Sequence, residues 1–276
     1  MIYLILTHTM KQKIIDIKNI DEFRITPKNK YIKEQFYIRK RDIKISIYQT
    51  NILNISGQGS AEFYSYLIKN CNEEDTVGMD EVGIGDFFGP EVYVSVLLTK
   101  ESLNKIAELY IPIKDSKQLK ELEIIHICKS LIGIVNYKYK IVYNSLEKVK
   151  LNAVAKKCYY HNQNIYENKE TIIDLFTTEN AFFKYTKELN LKWPEKLILE
   201  TKADSKYISV ALASIIARGI FIIEMKKLSK KYSMKIPYGA NVKKEAIKFI
   251  DMYGKKELGK IAKTSFKTFD ELEERK

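Results

Sequence analysis

Apolar and polar residues alternate along two neighbouring segments near the start of the chain. Isoleucines recur at every second position from Ile43 to Ile47, and a second segment of the same kind follows after a turn. A period of two is typical of a strand with one buried face. Glycines at positions 57 and 59 then precede a short amphipathic helix. Residues 1–70 are therefore predicted to form a small α+β domain, followed by the polar, acidic linker Asn70–Thr76.

Farther along the chain, strand patterns and helix patterns follow one another. Strand-like segments over Val77–Val82 and Val92–Leu98 flank a glycine-rich turn, which predicts an antiparallel hairpin that "IVNYKYKIVYN" extends. "KDSKQLKELEIIHICKSLIG" predicts a helix that begins at Asp115 or Ser116. The strands "TIIDLF" and "KLILET" precede a long helix that starts within "DSKYISVALAS". This order predicts an α/β fold over residues 76–276, with a mixed β-sheet flanked by helices and a helical C-terminal region.

The composition narrows the class of protein. The chain has 276 residues, of which 45% are hydrophobic and 30% charged. We find no apolar run close to twenty residues and no signal-peptide core, so we expect a cytoplasmic protein without a membrane span. The three cysteines lie far apart and fit no zinc-binding spacing, which favours bystander thiols. With three histidines in the whole chain, a histidine-based metal site or catalytic triad is not expected.

The net charge of +12 favours a polyanionic partner, most simply a nucleic acid. The segment Lys28–Lys44 is densely basic, with aromatic residues between its charges, as on a sheet face that follows a sugar–phosphate backbone. An AT-rich genome would also enrich lysine, isoleucine, asparagine and tyrosine. Charge alone therefore leaves both interpretations open.

A pair of adjacent carboxylates, Asp80 and Glu81, precedes the glycine-rich turn Gly83–Gly89. The turn has the form GxGxxxG, and a strand rather than a helix is predicted after it, so it does not fit a dinucleotide site. The acids would also repel a bare phosphate. A divalent cation resolves this conflict, because carboxylates hold Mg²⁺ and the cation then attracts a phosphodiester.

Two more acids test the cation hypothesis. Asp174 lies within the apolar strand "TIIDLF", where an acid is costly unless it is paired or bound to a metal. Asp204 lies at the start of the long helix, where capping the helix is the alternative role. Together with Asp80 and Glu81 they would hold two Mg²⁺ ions, as two-metal phosphodiester hydrolysis requires.

These motifs resemble the type 2 ribonuclease H family. "GMDEVGIGDFFGP", "KDSKQL", "IDLF" and "ADSKYISVALASIIAR" match it in order and spacing, and "IPYGA" and "GKKELGKIAKTSFKT" are similar to its C-terminal region. Within the family, the ribonuclease HIII branch is most similar. Its small N-terminal domain resembles the TATA-binding-protein fold, and "ISIYQTNILNISGQG" resembles a segment of that domain.

Details of the motifs distinguish the branches. The ribonuclease HII branch has Gly-Arg-Gly after the acidic pair, where this chain has Gly83-Ile84-Gly85. Asp204 departs from the HIII pattern, in which Glu is frequent, and Ser265 stands where the family usually has His.

The resemblance implies a metal-dependent endoribonuclease that cleaves the RNA strand of RNA–DNA hybrids, with two divalent cations, Mg²⁺ or Mn²⁺, held by all four acids. We expect it to act as a monomer. The alternatives are incision at single ribonucleotides embedded in DNA and a non-catalytic nucleic-acid-binding protein. By the same resemblance, the substrate contacts would come from the glycine loop, the "DSK" element and two lysines near Asp204: Gly83, Ile84, Gly85, Ser116, Lys117, Lys202 and Lys206.

Overall fold

Two five-stranded β-sheets flanked by helices form the protein in the computed structural model, which describes residues 2–18, 23–71, 73, 75–114, 116–143 and 152–272. The strands are β1 Ile2–Ile5, β2 Phe23–Arg24, β3 Ile32–Ile38, β4 Ile43–Tyr48, β5 Ile52–Ser56, β6 Thr76–Val82, β7 Glu91–Leu98, β8 Asn136–Val142, β9 Glu170–Asp174 and β10 Leu197–Glu200. The α-helices are α1 His8–Lys18, α2 Ser60–Lys69, α3 Lys100–Glu108, α4 Glu121–Ile132, α5 Ala153–Gln163, α6 Glu179–Glu188, α7 Ile208–Lys231, α8 Lys243–Tyr253, α9 Lys255–Ile261 and α10 Lys267–Glu271. The predicted α/β class is confirmed.

The N-terminal sheet has the order β1-β5-β4-β3-β2 and is antiparallel throughout. Because side chains alternate between the two faces of a strand, its faces differ in chemistry. One face carries buried apolar residues in register across β3, β4 and β5: Phe36, Ile45 and Ile55. The opposite face carries a polar row across four strands: Gln35, Ser46, Asn54 and Tyr3.

The second sheet has the order β10-β9-β6-β7-β8. β6, β7 and β8 run antiparallel, and β9 and β10 lie parallel to β6, so the predicted hairpin and the predicted mixed sheet are both confirmed. The 24-residue helix α7 packs across β6 and β7. Among the described residues it is the one helix long and apolar enough to cross a membrane, but 78% of its apolar window is buried inside the protein. It is a core helix.

The two sheets share one hydrophobic core. Ile5 donates its backbone N–H to the carbonyl of Ile113 over 2.8 Å, and Ser65 donates its hydroxyl to the carbonyl of Ala107 over 3.0 Å. The Tyr64 hydroxyl donates to the carbonyl of Ile111. Deleting residues 1–70 would therefore uncover apolar surface on the remaining chain. The division into domains at 1–70 and 76–276 remains a prediction.

The "DSK" helix begins later than predicted. Ser116 belongs to a short 3-10 helix, and α4 itself begins at Glu121. The Glu123 carboxylate accepts the backbone N–H of Lys120 over 2.9 Å, which fixes the start of α4 at that point. Asp115, the other predicted start, lies outside the described residues.

A carboxylate from the linker caps the central helix α7. Glu73 is buried and accepts the backbone N–H groups of Ile208, over 2.6 Å, and Ser209, over 3.3 Å. These N–H groups have no partner within the helix, so Glu73 satisfies donors that burial would otherwise leave without one. Burial raises the pKa of Glu73 to about 8, although the two N–H groups oppose that rise.

We expect Glu73→Gln to remove part of the pH dependence of stability. In the unfolded chain the Glu73 carboxyl ionises near its ordinary pKa of 4.5, whereas in the folded protein its pKa is about 8. The wild-type free energy of unfolding should therefore fall between pH 4.5 and 8, by up to about 1.4 kcal/mol per pH unit from this group. Urea unfolding at several pH values measures the effect.

The amide of Glu73→Gln still accepts the N–H groups but cannot ionise. Its stability relative to the wild type should therefore increase from pH 5 to pH 8 by about a few kcal/mol at most. Glu62→Gln, at an exposed position on α2, is the matched control and should follow the wild type. If the free energies of unfolding of the wild type and Glu73→Gln changed in parallel with pH, the raised pKa of Glu73 would be contradicted.

Candidate active site

Three of the four predicted acids converge where neighbouring strands end. Asp80 lies near the end of β6, Asp174 is the last residue of β9, and Asp204 lies in the 3-10 helix that follows β10. Because β6, β9 and β10 are parallel neighbours, their carboxyl ends meet at one edge of the sheet. One carboxylate oxygen from each residue lies within 4.8 Å of those of the other two. We call Asp80, Asp174 and Asp204 the acidic cluster.

Local hydrogen bonds hold the segment that carries Asp204 against β9. The backbone N–H of Ala203 donates to Asp174 Oδ1 over 3.1 Å, so two members of the cluster are tied together through the main chain. Lys202 turns the chain with a left-handed backbone conformation, at φ 56°. Asp204 does not cap α7, because Glu73 accepts the first N–H groups of that helix. The Asp204 carboxylate is thus available to the cluster.

The electrostatics of the cluster are those of crowded acids. Burial raises the pKa of Asp80 well above its usual range, and the charges of Glu81 and Asp174 raise it further. Burial likewise raises the pKa of Asp174 to about 6, with a smaller contribution from Asp204. Lys117 Nζ lies 3.6 Å from Asp204 Oδ2, but the Lys117 side chain is 78% exposed, so water screens its charge. Such a site favours a cation.

Glu81, the fourth predicted acid, is held by α5. Its Oε1 lies 3.4 Å from Lys157 Nζ, and its Oε2 lies 3.1 Å from His161 Nε2. Burial raises the pKa of Glu81, but the hydrogen bond and charge of His161 and the charge of Lys157 outweigh burial and lower it overall. The structure therefore keeps Glu81 ionised beside the acidic cluster, with its two oxygens already engaged.

Asp80 and Glu81 face a cavity of about 250 Å³ that residues of the "DSK" element, α4 and α7 also line. Ser116 Oγ lies 2.9 Å from Ser214 Oγ, and a hydrogen bond from Ser214 stabilises the charge of Asp80. Arg218, one helical turn after Ser214, lines the same cavity, and its guanidinium lies over the Tyr238 ring, 5.6 Å from the centroid. Sequence reasoning missed Ser214 and Arg218. Two polar residues four apart within the mostly apolar first half of α7 were the available signal.

The glycines of the loop have separate roles. Gly83 has φ +91°, and a Cβ there would lie 2.2 Å from the carbonyl oxygen of Pro90, so Gly83 is required by the fold. A Cβ on Gly85 would meet nothing within 4 Å. Lys263 holds the end of the loop, since its buried Nζ donates to the carbonyl of Asp86 over 2.6 Å. Gly85 is thus the loop glycine at which an added side chain would meet no other part of the protein.

We expect Gly85→Ala to separate stability from substrate binding. A methyl group at that position clashes with no part of the protein, so the melting temperature should stay close to that of the wild type. If the loop approaches a ribose closely, the methyl group should raise KM for a hybrid several-fold and change kcat less. Steady-state kinetics and thermal unfolding of the same preparation measure both. An unchanged KM would remove Gly85 from the substrate contacts.

The remaining predicted substrate contacts are spread more widely. Ile84 is half-buried beside Gly85, and Lys202 is exposed next to Asp204. Lys206 pairs with Glu200 and donates to the carbonyl of Thr201 over 3.0 Å. It lines a different cavity, between the N-terminal sheet and β9–β10, so the structure does not bring it to the acidic cluster.

The donors of the acidic cluster fit a divalent cation. All three are carboxylate oxygens, which Mg²⁺ and Mn²⁺ prefer, and they approach one another from three separate elements. Buried carboxylates this close repel one another, and a bound cation removes both the repulsion and the cost of burying charge.

Comparison with known proteins gives consistent results. A family model described as Ribonuclease HII matches residues 77–269. Ribonuclease HIII of Streptococcus pneumoniae (strain 70585) is 28% identical over 267 residues, covering 90% of each chain. The crystal structure of Bst-RNase HIII in complex with Mn²⁺ has a TM-score of 0.67 and 23% identity, covering 98% of this chain and 96% of that one. Ribonuclease H2 from Pyrococcus horikoshii OT3 has a TM-score of 0.59 and 26% identity, covering 72% of this chain and 97% of that one.

Proposed function

The chain belongs to the ribonuclease HII family, and we propose that it is a metal-dependent endoribonuclease that cleaves the RNA strand of RNA–DNA hybrids. The products would carry 3′-hydroxyl and 5′-phosphate ends. The observation that carries this proposal is the convergence of Asp80, Asp174 and Asp204 to within 4.8 Å. The similarity of this chain to ribonuclease HIII covers 90% of its length and supports the hybrid-cleaving branch.

Asp80, Asp174 and Asp204 would hold the cation, with Glu81 beside them. When bound, a divalent cation supplies Lewis-acid activation of the phosphodiester and lowers the pKa of a bound water. The chain's own residues set the geometry. Asp80 is oriented by Ser214, and Asp174 by the N–H of Ala203. These contacts keep the carboxylates fixed before substrate arrives, which reduces the cost of reorganisation during the reaction.

The walls of the cavity supply the substrate contacts. Arg218, whose guanidinium lies over the Tyr238 ring, lines the cavity with a delocalised positive charge, and Lys117 adds an exposed ammonium to the same lining. Both suit backbone phosphates. Gly85 leaves room for a ribose, whose 2′-hydroxyl distinguishes RNA from DNA. In the ribonuclease HII branch, arginine between the two glycines senses a lone ribonucleotide, so Ile84 at that place in this chain would favour longer RNA tracts.

The polar face of the N-terminal sheet would extend the binding surface. Lys44 and Tyr37 lie opposite each other on this face, and Tyr3 on the same face lies under Lys114, whose Nζ is 5.2 Å from the ring centroid. Lys114 precedes by three residues Lys117, whose Nζ lies 3.6 Å from Asp204 Oδ2, so the proposed surface would lead from Tyr3 toward the acidic cluster. We assign it phosphate contacts that add affinity rather than sequence specificity. We also propose that the N-terminal domain resembles the TATA-binding-protein fold.

A substitution that removes one positive charge from this face tests its role in binding. Lys44→Gln should weaken hybrid binding about two- to fivefold at 100 mM salt, with a smaller effect at high salt, because one phosphate contact is lost. Its kcat at saturating substrate should stay near the wild-type value. Fluorescence anisotropy with a labelled hybrid measures the affinity. A salt-independent loss, or none, would argue against phosphate contacts on this face.

A substrate panel tests the proposed activity. With Mg²⁺ or Mn²⁺, the protein should cut the RNA strand of a hybrid and leave double-stranded DNA and double-stranded RNA intact. A DNA duplex with four consecutive ribonucleotides should be cut much faster than one with a single ribonucleotide. Faster incision at the single ribonucleotide would favour the ribonuclease HII type of activity. Binding without cleavage of any substrate would favour the non-catalytic alternative.

A further inference from the structure

Two side chains of α5, one helical turn apart, occupy both oxygens of Glu81. Lys157 Nζ lies 3.4 Å from Oε1, and His161 Nε2 lies 3.1 Å from Oε2. Residues four apart lie on the same face of a helix, so α5 presents the two groups together. Glu81 immediately follows Asp80 in the chain, and its charge raises the pKa values of both Asp80 and Asp174. The α5 pair therefore acts on an acid that is electrostatically part of the cluster.

The Lys157–Glu81 pair is shielded from solvent. The exposed fractions of the two side chains are 14% and 12%, and the Lys157 ammonium also lies 4.6 Å from the centroid of the Phe176 ring. Partial burial makes this ion pair stronger than one on the surface, and the aromatic face adds to it. The positive charge of Lys157 thus balances the charge of Glu81 within the protein, beside the acidic cluster.

We propose that Lys157 is a built-in counter-cation for Glu81, and that a divalent cation binding at the acidic cluster displaces it. The inference rests on the proposed function to the extent that the cluster binds such a cation. If Glu81 turns toward a divalent cation, its carboxylate exchanges an ammonium partner for a more highly charged one. The divalent cation and the Lys157 ammonium would also repel each other. Lys157 would keep Glu81 ionised and in place until the cation arrives. It would also lower the cation affinity of the site. Lys157 is accordingly a positioning residue.

The neighbouring residue Lys156 provides a control within the same helix. Its Nζ lies 3.2 Å from Glu91 Oε2, and the exposed fractions of that pair are 12% and 10%. Lys156 and Lys157 therefore match in type, burial and ion pairing. Glu91, in β7, is not a member of the acidic cluster. A change specific to Lys157 cannot be attributed to a general loosening of α5.

Amine labelling of the wild-type protein tests the displacement directly. Acetylation by acetic anhydride, followed by peptide mass spectrometry, reports the reactivity of each lysine. Saturating Mn²⁺ should raise the acetylation rate of Lys157 at least about threefold, because the ammonium loses its carboxylate partner and is repelled from the shielded position beside Glu81. The acetylation rate of Lys156 should change by less than about half that factor. Equal responses of the two lysines, or none, would overturn the proposal.

Substitutions test the same claim through cation affinity, measured by electron paramagnetic resonance of Mn²⁺. Lys157→Met should bind Mn²⁺ about tenfold more tightly than the wild type, because a nearby positive charge has been removed. Lys157→Arg keeps the charge and should stay within about twofold, as should Lys156→Met. Unchanged or weaker binding by folded Lys157→Met would overturn the proposal.

These outcomes separate the inference from the proposed function. If the wild-type protein bound no Mn²⁺, both would fail. If it bound Mn²⁺ and cleaved hybrids while Lys157 did not respond, the nuclease assignment would stand and the counter-cation role would be rejected. Circular dichroism confirms that each variant is folded, and the labelling experiment needs no variant.

Discussion

Asp80→Asn should reduce cleavage of an RNA–DNA hybrid by at least about a thousandfold while leaving hybrid binding at or above the wild-type level. The substitution keeps the size of the side chain but removes a charged oxygen from the acidic cluster, where the cation supplies about 4 kcal/mol or more of transition-state stabilisation. One negative charge fewer in the cavity also reduces repulsion of the phosphates. Single-turnover cleavage and anisotropy binding measure the two effects.

The same substitution should stabilise the metal-free protein. Burial and the charges of Glu81 and Asp174 raise the pKa of Asp80, so its ionised form is unfavourable in the fold at neutral pH. An amide at this position removes that cost, and the melting temperature in EDTA should rise by a few degrees. Asp75→Asn, at an exposed acid just before β6, is the control and should change neither activity nor melting temperature. Activity retained by Asp80→Asn in Mg²⁺ would contradict the cation site.

Gly78→Ala should cost at least about 3 kcal/mol of folding free energy and leave little soluble protein. Gly78 lies in β6 directly under α7, and a Cβ there would lie 2.1 Å from the carbonyl carbon of Ser209 and 2.2 Å from the backbone nitrogen of Val210. Both atoms belong to the main chain of α7, so no side chain can move aside. The methyl group must push the helix away from the sheet at the place where β6 presents Asp80.

Gly133→Ala is the matched glycine control. A Cβ on Gly133 meets nothing within 4 Å, and its φ of −88° suits any residue. It should therefore change the free energy of unfolding by less than about 0.5 kcal/mol. Chemical unfolding of both variants gives the comparison. If Gly78→Ala were as stable as Gly133→Ala, the close packing of α7 on β6 would be wrong.

Local patterns were sufficient to predict the elements that carry the acids. Strand-like segments over Val77–Val82 and Val92–Leu98, joined by a glycine-rich turn, predicted the hairpin that β6 and β7 form. Asp174 stood out because an acid within an apolar strand needs a partner or a cation, and the structure places it beside Asp80. Each of these signals is contained in a few consecutive residues.

Contacts between distant residues were not predictable in this way. Glu73 caps α7 from 135 positions away in the chain, and nothing in its polar segment distinguishes it from its acidic neighbours. That contact also decides the role of Asp204, for which capping was the alternative. Glu81 was predicted as a direct cation ligand, but its partners on α5, Lys157 and His161, depend on how that helix packs. Tertiary packing, rather than local propensity, sets these pairings.

Cleavage of an RNA–DNA hybrid with and without EDTA tests the central claim most directly. With the RNA strand labelled at its 5′ end, the wild-type protein should produce shorter fragments ending in 3′-hydroxyl groups when Mg²⁺ is present. It should produce none in excess EDTA and recover when Mg²⁺ is restored. Asp174→Asn should be inactive under every condition. Cleavage that continued in EDTA, or full activity of Asp174→Asn, would contradict a nuclease built on the acidic cluster.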